Sequence, residues 1–263
     1  MSKEFAGKCV VITGAGVGIG LEIANQFADE GAVIAAADLC VTDGLAAVAE
    51  RSGGFALELD LADRQAAPAL VNSAVERFGG IDILINNLGA SPVRSSFLDT
   101  SDDDWERLFQ INLFSLVRAT REALPHLIRT KGVVVNITSV LAREPISIQP
   151  DYCATKAATL NLAQNLAAEF GPLGVRVVSV SPGPTLTPQW TEPGGQLEQY
   201  AARHGCKPED ARDRVIPEEL GLSMRRFVMP EDIATTVLFA ASPRSRSLTG
   251  TEIVVDGGMH KSV

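Results

Sequence analysis

The chain has 263 residues, 46% of them apolar, and a formal net charge of -9. That length and apolar fraction suffice for one full hydrophobic core, so residues 1–263 are read as a single domain. The acidic balance excludes the basic face that displaces counterions from phosphates, and no nucleic-acid partner is expected. Asp, Glu, Lys or Arg interrupts every apolar run short of a membrane span, and the first residues carry no signal-peptide stretch, which together predict a soluble, cytoplasmic chain with no membrane partner.

In chain order, short β-branched runs alternate with longer amphipathic or Ala-rich segments. Strands are predicted at Lys8 to Thr13, Ala32 to Asp38, Gly54 to Leu59, Ile81 to Asn86, Gly132 to Ser139, Val175 to Ser181 and Thr251 to Val255. Helices are predicted at Gly18 to Glu30, Thr42 to Arg51, Ala62 to Phe78, Ser101 to Arg129, Tyr152 to Phe170 and Pro230 to Ala241. The alternation predicts an α/β fold: a doubly wound parallel sheet of seven strands with helices on both faces and ligands at the carboxyl ends of the strands. Residues 183–229 break the rhythm with many Pro and Gly and scattered large apolar residues, and are read as a substrate lid within the domain. Of its apolar residues, Trp190, Leu197, Tyr200, Leu222, Met224 and Phe227 are candidates either for an apolar substrate wall or for the lid's own small core. The four Cys are far apart and form no ligand pattern with the three His, so free thiols and no metal are expected.

The first predicted strand runs into Thr13-Gly14-Ala15-Gly16-Val17-Gly18-Ile19-Gly20. Small residues let the backbone turn sharply beside a pyrophosphate, while the following helix presents unpaired N–H groups and its positive dipole end. Asp38 ends the second strand 18 residues after Gly20, where a carboxylate accepts hydrogen bonds from an adenosine ribose and repels a 2′-phosphate. No Lys or Arg occupies Ala15, Gly16, Val17 or Leu39, so the cofactor expected is NAD rather than NADP. Asp60-Leu61 follows the third strand, as an adenine contact or a plain helix cap. Asn86-Asn87-Leu88-Gly89 follows the fourth, with Asn86 knitting strands together and the Asn87 to Gly89 backbone along the cofactor ribose.

Ser139 closes the fifth strand, and Tyr152 and Lys156 follow on the next helix, four residues apart and hence on one face. A free phenol titrates near 10, but a nearby ammonium and a cationic cofactor ring stabilise phenolate, which makes Tyr152 an acid or base for a carbonyl–alcohol couple. Ser139 would hold the reacting oxygen, and Lys156 would also anchor the nicotinamide ribose. Asn112 lies among apolar neighbours, where a water bridge to Lys156 or a local structural role would satisfy it. Arg94 and Arg143 adjoin the expected pocket mouth, as solvated charges or as partners for an anionic group.

From Thr13 to the closing Asp256-Gly257-Gly258, the chain resembles the short-chain dehydrogenases/reductases, the single-domain group with a Rossmann fold. The resemblance implies a catalytic tetrad of Asn112, Ser139, Tyr152 and Lys156. It implies cofactor contacts from Gly14, Gly16, Val17, Gly18, Ile19, Asp38, Leu39, Asp60, Leu61, Asn87, Gly89, Ile137, Tyr152, Lys156, Pro182 and Gly183, and from Thr185 or Thr187. It also implies a homotetramer and a small-molecule alcohol or ketone substrate. Leu88 departs from the small Ala usual in that motif and is expected to narrow the pocket. The function implied is NAD-dependent interconversion of a secondary alcohol and a ketone. A 3-oxoacyl thioester reductase shares the motifs, an enoyl reductase is disfavoured by the four-residue Tyr-to-Lys spacing, and a catalytically silent NAD(H) sensor is the alternative of another class.

Overall fold

The computed structural model describes residues 3–260. Seven parallel strands form one sheet in the order β3-β2-β1-β4-β5-β6-β7: β1 Cys9–Thr13, β2 Val33–Asp38, β3 Phe55–Glu58, β4 Ile83–Asn86, β5 Val133–Ile137, β6 Arg176–Pro182 and β7 Thr251–Val255. The order reverses between β1 and β4, and the crevice opens at the carboxyl ends on either side of that point.

Helices cover both faces. On one, α1 (Gly18–Asp29) and α11 (Pro230–Ala241) bury Ile23, Phe27, Ile233 and Val237 against Val10, Ile12, Ile34 and Val178. On the other, α3 (Ala66–Phe78), α5 (Ser115–Thr130) and α6 (Pro150–Phe170) bury Leu70, Ala119, Leu127 and Ala163 against Val11, Leu84 and Val134. Because both faces are covered, inner strands such as VVVNI are apolar without alternation. Truncating a fully buried residue such as Leu84 to Ala would cost about 2–5 kcal/mol.

Two helix starts are set by capping side chains. Thr42 accepts the Leu45 N–H ahead of α2 (Asp43–Arg51), and Ser101 with Asp104 forms a capping box on α4 (Asp102–Phe109). The single long helix expected from Ser101 to Arg129 is instead α4 and α5 joined by one π-turn, Gln110–Phe114, which displaces Asn112 from the regular helical ladder. The lid contains four short helices, α7 (Pro188–Thr191), α8 (Gln196–His204), α9 (Pro208–Asp210) and α10 (Ile216–Glu219). They close on a small core of Leu197, Ala201, Ala211, Ile216 and Phe227, separate from the two sheet cores.

One rung of the sheet is polar. Thr13, Asn86, Asn136 and Ser179 are register partners across four strands. The Asn86 amide donates to Asn136 Oδ1 at 2.9 Å and to Thr120 Oγ1 of α5 at 3.0 Å, so it ties β4 to β5 and to the helix above them, as expected from the sequence.

Candidate active site

A cleft of about 560 Å3 runs along the carboxyl ends of β1, β4, β5 and β6, within the range of small-molecule sites. Its first wall is the glycine turn. Gly14 and Gly18 have φ of 67° and 56°, values at which a side chain is strained, and Gly20 lies so close to Gly14 that a Cβ would stand 2.1 Å from the Gly14 oxygen. Asn87 locks this turn by donating to the oxygens of Thr13 and Gly14 at 3.2 and 2.5 Å. The first turn of α1 receives no side-chain cap, and Val17, Gly18, Ile19 and Gly20 line the cleft there. An uncapped helix start behind a glycine cradle fits a dinucleotide pyrophosphate.

The Asp38 carboxylate closes the far end of this wall. Its Oδ2 accepts the Gly16 N–H and its Oδ1 the Leu39 N–H, each at 2.7 Å. Gly16 is held from the other side by the Thr42 hydroxyl, which donates to its oxygen at 2.7 Å. Asp60 Oδ1 accepts the Ala62 N–H at 3.0 Å and so holds the turn after β3, but α3 starts only at Ala66 and without a side-chain cap, so Asp60 caps no helix; the Leu61 side chain is buried in the core under α3. Neither side chain forms a wall of the cleft, and the Leu39 side chain is largely exposed beside Asp38. Leu88 is shared between the cleft and the core on the α3 face, so only part of it narrows the pocket.

The second wall carries the polar chemistry. Ser139 leaves β5 in extended conformation, and its Oγ accepts the Leu141 N–H at 3.2 Å, fixing the hydroxyl at the cleft floor. Tyr152 and Lys156 rise from the first turns of α6, whose start is set by Pro150 at its first position. Burial pushes the Tyr152 phenol up to about 12, and a hydrogen bond from Ser139 pulls it the other way. Burial alone pulls the Lys156 ammonium down to about 8. Lys156 Nζ lies 5.7 Å from the Tyr152 ring centroid and donates to the Ile137 oxygen at 2.8 Å. A low-dielectric floor thus holds an acid with a raised pKa and an ammonium with a lowered one side by side, the condition in which an added charge nearby has most leverage on proton transfer.

Gly89 admits Lys156: a Cβ there would lie 3.2 Å from Nζ and 3.8 Å from Asn112 Oδ1. Asn112 itself is spent locally. Its Oδ1 accepts the Ala90 N–H at 2.8 Å, and its amide donates to the Ala90 oxygen at 2.9 Å and to Thr155 Oγ1 at 3.1 Å. The side chain therefore clasps the strand-to-helix loop to α6 and makes no direct hydrogen bond to Lys156. Ile137, Pro182, Gly183, Thr185 and Thr187 all line the cleft. The Thr185 hydroxyl already donates to the Gly183 oxygen at 3.0 Å, whereas Thr187 packs its methyl beside Gly18.

Two groups of residues read differently in three dimensions. Trp190 and Tyr200 face the cleft as well as the lid core, but Leu197, Leu222 and Phe227 are buried and Met224 is exposed away from the cleft, so the apolar substrate wall is smaller than the six residues suggested. Arg94 is neither a solvated charge nor a free anion partner: it pairs with Asp151 and Asp104. Arg143 pairs with Glu252. Leu141, Ile146, Ile148, Gln149 and Met259 complete the walls unannounced, because they sit in irregular segments whose spacing carries no period. Among the described residues there is no cluster of metal-binding side chains and no helix long and apolar enough to cross a membrane.

Comparison with known proteins agrees with this geometry. The family described as Enoyl-(Acyl carrier protein) reductase matches residues 14–260. A meso-2,3-butanediol dehydrogenase of Serratia marcescens is 35% identical over 97% of this chain and 95% of its own, and an L-fucose dehydrogenase of Bos taurus is 33% identical over 98% and 91%. The crystal structure of L-sorbose reductase from Gluconobacter frateurii, complexed with NADPH and L-sorbose, superposes with a TM-score of 0.91 at 30% identity over the whole of both chains. The chain belongs to the short-chain dehydrogenase/reductase family, oxidoreductases that interconvert secondary alcohols and ketones with a nicotinamide nucleotide.

Proposed function

We propose that the protein is an NAD-dependent dehydrogenase/reductase in which Tyr152 is the acid/base. The observation that carries this reading is the meeting of Ser139, Tyr152 and Lys156 on one face of a cleft whose opposite face is the glycine turn. The nicotinamide, when bound, accepts or supplies the hydride. In oxidation, Tyr152 takes the proton from the substrate hydroxyl; in reduction it returns one to the developing alkoxide. Ser139 holds the reacting oxygen and donates to the Tyr152 oxygen, which favours phenolate. Lys156 adds positive charge beside the ring and would hold the nicotinamide ribose, with Ile137, Pro182, Gly183 and Thr187 on the nicotinamide side and Asn87 and Gly89 along the ribose.

The choice of NAD over NADP rests on Asp38. Its carboxylate is fixed by two N–H groups at the end of β2, with no Lys or Arg at Gly16, Val17 or Leu39 to receive a 2′-phosphate. Asp38→Ser should lower the preference for NADH over NADPH by about tenfold or more, measured as the ratio of dissociation constants. Tighter binding of NADPH by the wild type would overturn the assignment.

Residues 183–229 act as a lid over the substrate end, where Trp190 and Tyr200 join Val93, Leu141, Ile148 and Met259 in a mainly apolar wall suited to a ring or chain. A homotetramer would be built on the helices beginning near Ser101 and Tyr152 and on the edge strand β7, where Val254 is exposed. The test is reduction of NAD or NADP by meso-2,3-butanediol, L-fucose or a 3β-hydroxysteroid, and oxidation of NADH or NADPH by L-sorbose, cyclic ketones or 3-oxoacyl thioesters. Turnover with NAD should fall about 10²–10⁴-fold in Tyr152→Phe. Undiminished turnover in that variant would refute the acid/base role, and binding of NADH without turnover of any of these would favour the sensor.

A further inference from the structure

Asp151, immediately before Tyr152, has no exposed side-chain surface. A carboxylate so enclosed is retained only when its charge is met. Both oxygens are engaged. Oδ1 accepts the N–H of Tyr152 itself at 2.9 Å, a first-turn group that α6 leaves without an intrahelical acceptor. Oδ2 accepts Nε and Nη2 of Arg94 at 3.0 and 2.7 Å.

Arg94 comes from the loop between β4 and α4 and is itself held on three sides. Its Nη1 donates to Asp104 Oδ1 at 2.8 Å, while the other oxygen of Asp104 accepts the N–H and hydroxyl of Ser101 in the capping box of α4. The backbone N–H of Arg94 donates to the Ile148 oxygen at 2.8 Å, and Gln149 returns the tie by donating to the Ser91 oxygen at 2.8 Å. Ser91 and Val93, which line the cleft, are therefore fastened to the start of the helix that carries Tyr152.

We propose that Arg94 is a positioning residue for the reaction: through Asp151 it fixes the first turn of α6 under Tyr152, and it cancels a carboxylate charge that would otherwise oppose formation of the Tyr152 phenolate. The proposal rests on the acid/base reading of Tyr152. Lys156 lies over the Tyr152 ring and Cys153 and Asp151 flank Tyr152 along α6, Arg94 from the β4–α4 loop and Asp104 from α4 meet at Asp151, and Arg203 of α8 lines the same cleft from the lid. After β5 come Ser139, which is uncharged, and Arg143 and Glu144, which pair with Glu252 and His260. Arg94 is thus the cation that offsets Asp151: without it the buried carboxylate loses its ion pair, whereas without Asp151 the guanidinium keeps Asp104.

The chain has two tyrosines, so in a Tyr200→Phe background the ultraviolet absorbance of phenolate reports Tyr152 alone. With NAD+ saturating, Arg94→Met should raise the titration midpoint by roughly half a unit to one unit. Asp151→Asn should lower it, and the double variant should return to within about 0.3 unit of the parent. In turnover of the most active secondary alcohol, Arg94→Met should lose about tenfold or more in kcat and shift its pH optimum upward. Its dissociation constant for NADH should change less than about twofold, and Arg94→Lys should recover part of the rate, since Lys restores the charge but not the fork. If Arg94→Met does not fold, Arg94→Lys and Asp151→Asn decide the matter by the same titration. Midpoints that stay within about 0.2 unit of the parent in the single variants would show a purely structural ion pair and overturn the proposal. Tyr152→Phe, run alongside, separates the two failures: full activity there defeats the acid/base reading, whereas an inactive Tyr152→Phe with unmoved midpoints defeats only the role of Arg94.

Discussion

The two walls of the cleft are built by opposite means. The wall at the ends of β1 and β4 is made of backbone: a Cβ on Gly14 would lie 2.8 Å from the Leu88 Cα, and one on Gly20 would strike both Gly14 and Asn87. It is continuous with the sheet cores, since Ile12 and Ala15 beside it are fully buried. The lid is made of side chains gathered on a core of its own, with Trp190 edge-on to Phe227 at 4.9 Å between centroids. A wall of packed backbone has no room to adjust, so damage there should reach cofactor binding and global stability together. A satellite core can loosen by itself, so damage there should spare the cofactor.

The sharpest way to break this contrast is Gly20→Ala. The new methyl meets a backbone oxygen that cannot move aside, and should cost about 3 kcal/mol or more together with at least a tenfold loss of NADH affinity. A thermal midpoint and an NADH fluorescence titration that both match wild type would show the turn to be more compliant than drawn. Phe227→Ala is the counterpart on the lid, removing about 3 kcal/mol of local packing. Proteolytic cleavage within residues 183–229 should accelerate while the NADH dissociation constant stays within about twofold of wild type. A parallel loss of NADH affinity would erase the distinction between the walls.

Lys156 lies between them and reports how dry the floor is. Its folded pKa of about 8 is below its ordinary 10.5, so between those values the unfolded chain holds a proton that the folded chain has released. Stability therefore rises with pH across that window, by an amount on the order of 2 kcal/mol relative to Lys156→Met. Tyr152 acts in the opposite sense: its folded value of about 12 exceeds 10.0, and stability falls as pH rises from one to the other. The difference between the denaturant midpoints of wild type and Lys156→Met, taken in NAD-free buffer from pH 7 to 10.5, should shift progressively in favour of wild type. Parallel curves would mean that water reaches the ammonium. The smallest effect should be Trp190→Ala, with about a fivefold rise in substrate KM at unchanged kcat, because the ring is shared between the lid core and the cleft and only part of it can contact substrate.

The same contrast explains what could be read before the fold was known. The strands and the glycine turn were legible because β-branched runs and forced glycines are local signals, and the bounds of β7 and α11 agree with expectation at both ends. Tyr152 and Lys156 were legible because four residues on a helix share a face. Arg94 was not, since its partner Asp151 lies 57 residues away and nothing in the local sequence distinguishes a buried arginine from a solvated one. Asn112 was half legible: its burial followed from its apolar neighbours, but its partners Ala90 and Thr155 belong to other segments. The lid's apolar residues gave no hint of which would turn inward to Ala211 and Ile216 and which toward the cleft, because its helices are too short to show a period.

The π-turn at Gln110–Phe114 has a consequence for how such a chain tolerates change in length. A π-turn accommodates one residue more than an α-helical turn over the same rise, so the flanking helices keep their phase on either side of it. Loss of a single codon within the turn would accordingly leave both helices facing the core as before, while drawing Asn112 back into the ladder and away from Ala90. The bulge would then be a removable insertion, uncoupling the length of this helix from its orientation.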